Sequence, residues 1–577
     1  VNLIEALETL RTSPPKGTAT YNVYLACGFT PLHLQTFLSA HLRKALPLGE
    51  VEITTGLYGD LKGNLDRLEC GKCDAIAAVV EWQDMDSRLG IRNLGGWRVT
   101  DVEDIVESAR RSLQAMERRL TVLSRGLPIV VCMPTLPLPP LFWTSPEQAG
   151  EMELCLRELA ARTARSLAAK AGIRVASAQA LDERSPMSER FDLKSEILYG
   201  FPYRVSHASI VGETLASLVK APTPKKGIIT DLDDTLWAGL VGETGSAGVS
   251  WHLEQGAHLH GLFQQFLASL ASSGALVGIA SKNDLQPVEE VLARDDLILT
   301  NNDIYPVVAS WRPKPESIRE ILCVWNVAPD SVVFVDDSPI EVAEVKAAFP
   351  DMECILFPKE DYQGVWRLLH RLRGLFGKPF TSEEDRLRLS SIRDTSGFQD
   401  VITAEGSASE DFISTLNASV TFILAKAASD RRWLELLNKT NQFNLNGRRF
   451  TESQWMAEMA NPASILLGVS YRDKFGALGK ISVLLGRKED ATFIVESWVL
   501  SCRAFSRRIE YQTLAFLFDR IGAAKAVFRY EATPRNKVIS DFLKTLCGEE
   551  PRPGIELTSR AFREVCPRLF QQVSVHE

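Results

Sequence analysis

The stretch Ile228-Ile229-Thr230-Asp231-Leu232-Asp233-Asp234-Thr235-Leu236-Trp237 constrains this chain more than any other. An apolar run that ends abruptly in acids reads as a buried parallel strand, and open α/β sheets place their ligand sites at the carboxyl ends of such strands. The spacing of the first two carboxylates has a chemical reason. On a strand tip leaving its sheet, Asp231 can attack phosphorus and share a cation, while Asp233, turned back over the same site, can protonate a leaving oxygen. A lone acid pair after a strand is common, so the downstream residues must distinguish a phosphoryl site from an ordinary acidic loop.

Three further segments occur in order. Leu276-Val277-Gly278-Ile279-Ala280 is a second apolar run, ending in Ser281-Lys282-Asn283, which offers a hydroxyl and N–H groups to phosphate oxygens. Arg312-Pro313-Lys314-Pro315 supplies a lysine to offset phosphate and carboxylate charge. Val332-Val333-Phe334-Val335 then ends in Asp336-Asp337, paired acids suited to a hard, oxygen-preferring cation.

Together these segments resemble the four motifs of haloacid dehalogenase superfamily phosphotransferases. The resemblance implies Asp231 as nucleophile and Asp233 as acid/base, with Ser281 and Lys314 holding the phosphoryl group and Thr235 and Asn283 contacting the substrate. It also implies a Mg²⁺ site made by Asp231, Asp336 and the backbone carbonyl of Asp233. The intervals between Leu236 and Ser281, and between Ser281 and Lys314, are too short for a large inserted cap, so a capless core is expected.

At 577 residues the chain has room for roughly three or four domains. Apolar strands near 21–26, 51–55, 75–80 and 129–132, with a long helix over 146–171, predict an α/β domain over residues 1–222. The Pro/Lys stretch 220–226 leads into the phosphatase core, expected over 223–380. From 381 to 577 the pattern changes to a mixed α+β domain with strands near 465–471, 480–485, 492–500 and 526–530. The fold class expected is therefore multidomain α/β: a flavodoxin-like or SGNH-like domain, a Rossmann-like phosphatase core, and a domain resembling the GNAT acyltransferases.

The formal net charge of −8 argues against nucleic acid as a partner, since such surfaces carry a basic excess. No run approaches the roughly 18 apolar residues of a membrane span, and Val1-Asn2-Leu3-Ile4-Glu5 lacks the pattern of a secretion signal. The expectation is a cytoplasmic enzyme with no membrane partner. Ten cysteines are too sparse for a disulfide scaffold, and the pair Cys70 and Cys73 has no second pair to complete a zinc site.

Three features occurring together, Thr230 to Glu243 with its tryptophan and glycines, Asn438-Lys439-Thr440-Asn441-Gln442-Phe443-Asn444, and Ser501-Cys502-Arg503, resemble the FkbH-like glyceryl transferase/phosphatase family. That resemblance implies D-1,3-bisphosphoglycerate as substrate and the phosphopantetheine arm of an acyl carrier protein as acceptor of a glyceryl thioester, in polyketide biosynthesis. Thioester formation needs a thiolate. Two candidates stand open: Cys27, after the first strand and paired with His207 as an SGNH-type hydrolase would pair its nucleophile and base, and Cys502. Arg204 occupies the place where such hydrolases carry an aspartate, three residues before the histidine. In the third domain Arg503 and Arg507 could meet the phosphate of the carrier arm, although Ser506 and Arg508 fill the small positions of a coenzyme A loop. Two other readings stand beside this one: a Mg²⁺-dependent phosphatase without acyl transfer, and a non-catalytic module that binds carrier proteins.

Overall fold

The computed structural model describes residues 1–11, 20–46, 49–69, 71–94, 97–140, 144–378, 410–424 and 430–501, then 504–576, with a few isolated positions in 381–393 and at 426. The chain forms two compact units, Val1–Pro222 with Phe450–Asn461, and Thr223–Arg449 with Pro462–Glu577.

In the first unit the apolar runs become parallel strands β1 (Thr20–Cys27), β2 (Glu50–Thr55), β3 (Ala75–Val79), β4 (Ile129–Cys132) and β5 (Ile173–Val175), in the order 2-1-3-4-5. This is the flavodoxin-type doubly wound order. Side chains alternate between two apolar layers. Val23, Leu25 and Cys27 face the layer containing Phe37, Ala208 and Val211, whereas Ala26, Ile76 and Ala78 face the layer containing Leu113 and Leu156. The helix expected over 146–171 spans Glu151–Ala168. Helix Glu452–Ala460 falls within the third domain by sequence, but it belongs to this unit and is fastened by the ion pair of Glu452 with Arg174.

The second unit holds two sheets. The first, β6 (Gly227–Thr230), β7 (Leu276–Ser281), β8 (Ile304–Ala309), β9 (Val332–Asp336) and β10 (Glu353–Leu356), is wholly parallel in the order 10-9-6-7-8. Ile228, Val277 and Val333 pack toward helices His258–Ser272 and Tyr362–Phe376, while Ile229, Leu276 and Phe334 pack toward helices Lys314–Trp325 and Pro339–Ala348. Burial on both faces is why these strands read as unbroken apolar runs. Between β6 and Lys314 the connections hold only short helical segments besides helix His258–Ser272, so no cap domain is inserted.

The second sheet has seven strands: β11 (Ser419–Ile423), β12 (Ile465–Asp473), β13 (Gly476–Glu489), β14 (Thr492–Leu500), β15 (Lys525–Phe528), β16 (Ile555–Thr558) and β17 (Gln572–His576), in the order 16-15-14-13-12-11-17. Strands β11 to β14 form an antiparallel meander, and β15 joins β14 in parallel. The Asn438 to Asn444 motif serves as a brace here. Asn444 Oδ1 accepts the N–H groups of Asn446 and Gly447, and its carbonyl accepts from Asn536 Nδ2, fastening the loop beside β14. Among the described residues no helix is long and apolar enough to cross a membrane.

Candidate active site

The parallel sheet of the second unit brings the four motifs together at one end. Registry of Thr230 with Val335 sets Asp231 beside Asp336 at the carboxyl ends of neighbouring strands, with the Asp231 N–H donating to Val335 O at 3.0 Å. Strands β6 and β9 lead to helices on opposite faces, so this crevice is the switch point at which doubly wound sheets bind ligands. Ser281 is the last residue of β7, and Lys314 opens the helix after β8.

Lys314 is the hub of the site. Its ammonium is 1% exposed and lies 2.6 Å from Asp231 Oδ1, 3.0 Å from Asp336 Oδ2 and 2.9 Å from Glu341 Oε2. Lys282 holds the other oxygen of Glu341 at 2.8 Å. Three carboxylates thus face two ammonium groups, and one negative charge is left over. Burial raises the pKa of Asp231 above the usual carboxylate range against the pull of Lys314 and a hydrogen bond from Ser281. Burial, with the charge of Asp231, pushes Asp336 up to about 7. Glu341 loses hydration too, but Lys314 and Lys282 outweigh that loss and bring it down to about 2. The same carboxylates hold Lys314 well above an ordinary lysine.

Asp231, Asp336 and Glu341 can each point one oxygen into a common space, with these atoms within 4.8 Å of one another. Asp336 Oδ2 is buried, 3.0 Å from the Lys314 ammonium, with no hydrogen bond of good geometry. An all-oxygen set with an unsatisfied anionic atom suits a hard divalent cation. Sequence reasoning does not single out Glu341, because Ser338-Pro339-Ile340-Glu341 reads as a helix cap, and Ser338 does cap that helix. Asp337, the second member of the acid pair, turns instead to Lys359 Nζ, at 2.9 Å, and does not join the cluster.

Asp233 sits half-buried beside the pocket, its Oδ2 accepting from Asn283 Nδ2 at 3.1 Å, and the same amide donates to Ser281 Oγ at 3.0 Å. Asn283 therefore ties the expected acid to the expected phosphoryl ligand. Asp234, between the acids and Thr235, takes a left-handed backbone (φ 52°), and Gly239 N–H and Lys359 hold its carboxylate. Thr235, expected as a substrate ligand, uses its side chain within the fold. Its buried hydroxyl accepts from Asp337 N–H at 3.0 Å, which fastens the β9 loop.

Of the other expected residues, Cys27 and His207 belong to the first unit, and Arg507 follows β14 in the second. Cys27 and His207 form no pair. The Cys27 thiol lies in the core layer and donates to Phe29 O at 3.2 Å, and burial pushes its pKa up to about 12. Both His207 nitrogens are committed, Nε2 to Thr135 Oγ1 and Nδ1 to Ser185 Oγ, each at 2.9 Å. Burial, with the Arg190 charge, lowers His207 to about 3. Neither group is in the charge state of an activated thiolate and its imidazolium partner. Thr135 also donates to the buried Glu81, which accepts from Tyr203 at 2.6 Å, so the histidine belongs to a structural network. Arg507 is likewise buried, with Nε donating to Asp473 Oδ2 at 2.9 Å, and is not offered to a phosphate. Cys502 and Arg503 lie outside the described residues.

The core that carries this cluster is a doubly wound, wholly parallel sheet with no inserted cap domain. No family model and no curated protein matches the chain. Among solved structures it is similar to the N-terminal part of protein BF1531 from Bacteroides fragilis, which contains a phosphatase domain and was crystallised in complex with Mg, at 18% identity and a TM-score of 0.53 over 66% of this chain and 99% of that one. At that identity the likeness establishes a shared fold. An uncharacterised protein from Corynebacterium glutamicum aligns at 17% identity over 27% of this chain and 99% of its own, with a TM-score of 0.19, too low for a shared fold to be read from it.

Proposed function

We propose that the chain is a Mg²⁺-dependent phosphatase acting within glyceryl transfer: it dephosphorylates D-1,3-bisphosphoglycerate and loads the glyceryl unit as a thioester on an acyl carrier protein. The observation that carries the phosphatase half is the Lys314-centred cluster of Asp231, Asp336 and Glu341, with Asp233 tied to Ser281 by Asn283. Asp231, Asp336 and Glu341 would hold the ion, which when bound would neutralise the oxygens of the transferring phosphoryl group. Ser281 and Lys314 hold that group in line with the nucleophile. Asp231 attacks phosphorus, and Asp233 protonates the departing oxygen. Asp233, now a carboxylate, takes a proton from the water that cleaves the aspartyl phosphate, and Asp231 is restored.

The transfer half is supported by the family resemblance of the sequence motifs. Its thiol is open to test. With Cys27 buried and its pKa near 12, Cys502 is the relay residue we favour. The deciding experiment is intact-protein mass spectrometry with Mg²⁺, D-1,3-bisphosphoglycerate made in situ and a phosphopantetheinylated carrier protein. A glyceryl adduct on the carrier, lost with Asp231→Asn and with Cys502→Ala, is expected. Phosphate release without an adduct would leave a plain phosphatase. Unchanged release of the distal, monoester phosphate by Asp231→Asn, where a fall of roughly 10³-fold or more is expected for loss of a nucleophile, would refute the phosphatase half.

A further inference from the structure

Trp237 has no part in these phosphoryl-transfer steps, yet it is wholly buried and its indole N–H donates to Asp233 Oδ1 at 2.8 Å. A single tight turn brings it there: the N–H groups of Thr235, Leu236 and Trp237 all point to Leu232 O, and the chain crosses back so that Trp237 bridges to Asp233. The backbone N–H of Val241 donates to the same Oδ1 at 3.1 Å. The opposite oxygen, Oδ2, accepts from Asn283, on the Ser281 side of the carboxyl.

We infer that Trp237 is a positioning residue that holds Asp233 by Oδ1 and so leaves Oδ2, the oxygen on the Asn283 and Ser281 side, as the one presented to the leaving group. The catalytic meaning of this inference rests on the phosphatase reading, but the hydrogen bond does not. A carboxyl oxygen has two lone-pair sites. Both sites of Oδ1 are taken by N–H donors, so a proton there would meet two donor hydrogens, whereas Oδ2 accepts one donor and keeps a site free. The indole is a rigid plane locked in the same core cluster as Leu232, Val241 and Phe263, so its N–H stays fixed while substrate comes and goes. As the bond from Asp231 to phosphorus forms and the bond to the leaving oxygen breaks, the Oδ2 proton passes to that oxygen. The carboxylate left behind finds its charge already met at Oδ1 by the indole and Val241 N–H groups.

Trp237→Phe keeps a buried ring and removes the donor. Glycerol 3-phosphate has a leaving alkoxide that must be protonated, whereas p-nitrophenyl phosphate releases a phenolate that is stable without a proton. The expected result is a fall in kcat of roughly 10- to 100-fold on glycerol 3-phosphate, a much smaller fall on p-nitrophenyl phosphate, and unchanged KM for both. Equal losses on the two substrates, or none, would overturn the inference. A second measurement holds even if the phenylalanine variant folds poorly. In ¹⁵N-labelled wild-type protein and Asp233→Asn, the indole resonance of Trp237 should shift between the two; a resonance that stays in place would also overturn it. Should wild-type protein release no phosphate from either substrate, nor the distal phosphate of D-1,3-bisphosphoglycerate, while that resonance still responds, the phosphatase reading fails and the positioning hydrogen bond stands.

Discussion

If His207 is a neutral, structural histidine, the first unit should carry a specific sensitivity to acid. Its ordinary pKa of 6.5 falls to about 3 in the folded chain because burial and the Arg190 charge oppose a positive imidazole. The folded-state value is depressed, so the unfolded state binds the extra proton. The penalty is absent above the unfolded value, appears as pH falls through 6.5, and levels off only near pH 3. A tenfold difference in proton affinity between the two states is worth about 1.4 kcal/mol, so near pH 5 the group costs about 2 kcal/mol relative to pH 8, with a limit of about 5 kcal/mol in stronger acid. His207→Gln removes the titration and keeps an amide able to reach Ser185 and Thr135. The assay is hydrogen-exchange mass spectrometry of peptides from helix Val205–Val219 across a urea series at both pH values, corrected for intrinsic exchange. Wild-type protein should lose about 2 kcal/mol more than the variant between pH 8 and pH 5. Equal losses would refute the reasoning and reopen His207 as a titrating base.

Two further outcomes test the cation site and the structural role of Arg507. Glu341→Gln should leave the chain folded and raise the Mg²⁺ concentration needed for half-maximal phosphate release by roughly 10- to 100-fold, and chelation should abolish release in wild-type protein. Arg507→Ala strands a buried Asp473 and should destabilise the second unit by roughly 3–5 kcal/mol in urea unfolding. Replacing both partners, Arg507→Met with Asp473→Leu, should recover most of that loss, and a carrier-binding defect that persists in the double variant would restore Arg507 as a ligand.

Much of the parallel-sheet core of the second unit is legible in the sequence because each motif is local. An unbroken apolar run states that both faces of a strand are buried, and the polar residue ending it states where the strand meets solvent or ligand. Asp231, Ser281 and Asp336 are found in this way, and all three lie at one end of a parallel sheet. Strands β5, β11, β16 and β17 are not legible in the same manner. Each is short or carries little apolar patterning: β17 is exposed at four of its five positions and is held by pairing with β11. The Asn438 to Asn444 motif stands out as a family signature, but its backbone-bracing role depends on Asn536 and β14, far away in sequence.

The sequence by itself determined which chemistry can gather at the end of the second unit's parallel sheet, because residue type and strand ends are local properties. Only the tertiary structure decided the partners. It chose Glu341 over Asp337, centred three carboxylates on Lys314, turned Thr235 toward a loop and set Trp237 on Asp233. It also gave Cys27 and His207, two residues whose order along the chain points to a catalytic pair, other hydrogen-bond partners. The physical reason is that a side chain's charge state and hydrogen bonds depend on what packs against it from distant segments. Desolvation shifts Cys27 to about 12 and His207 to about 3, and no local spacing encodes that burial.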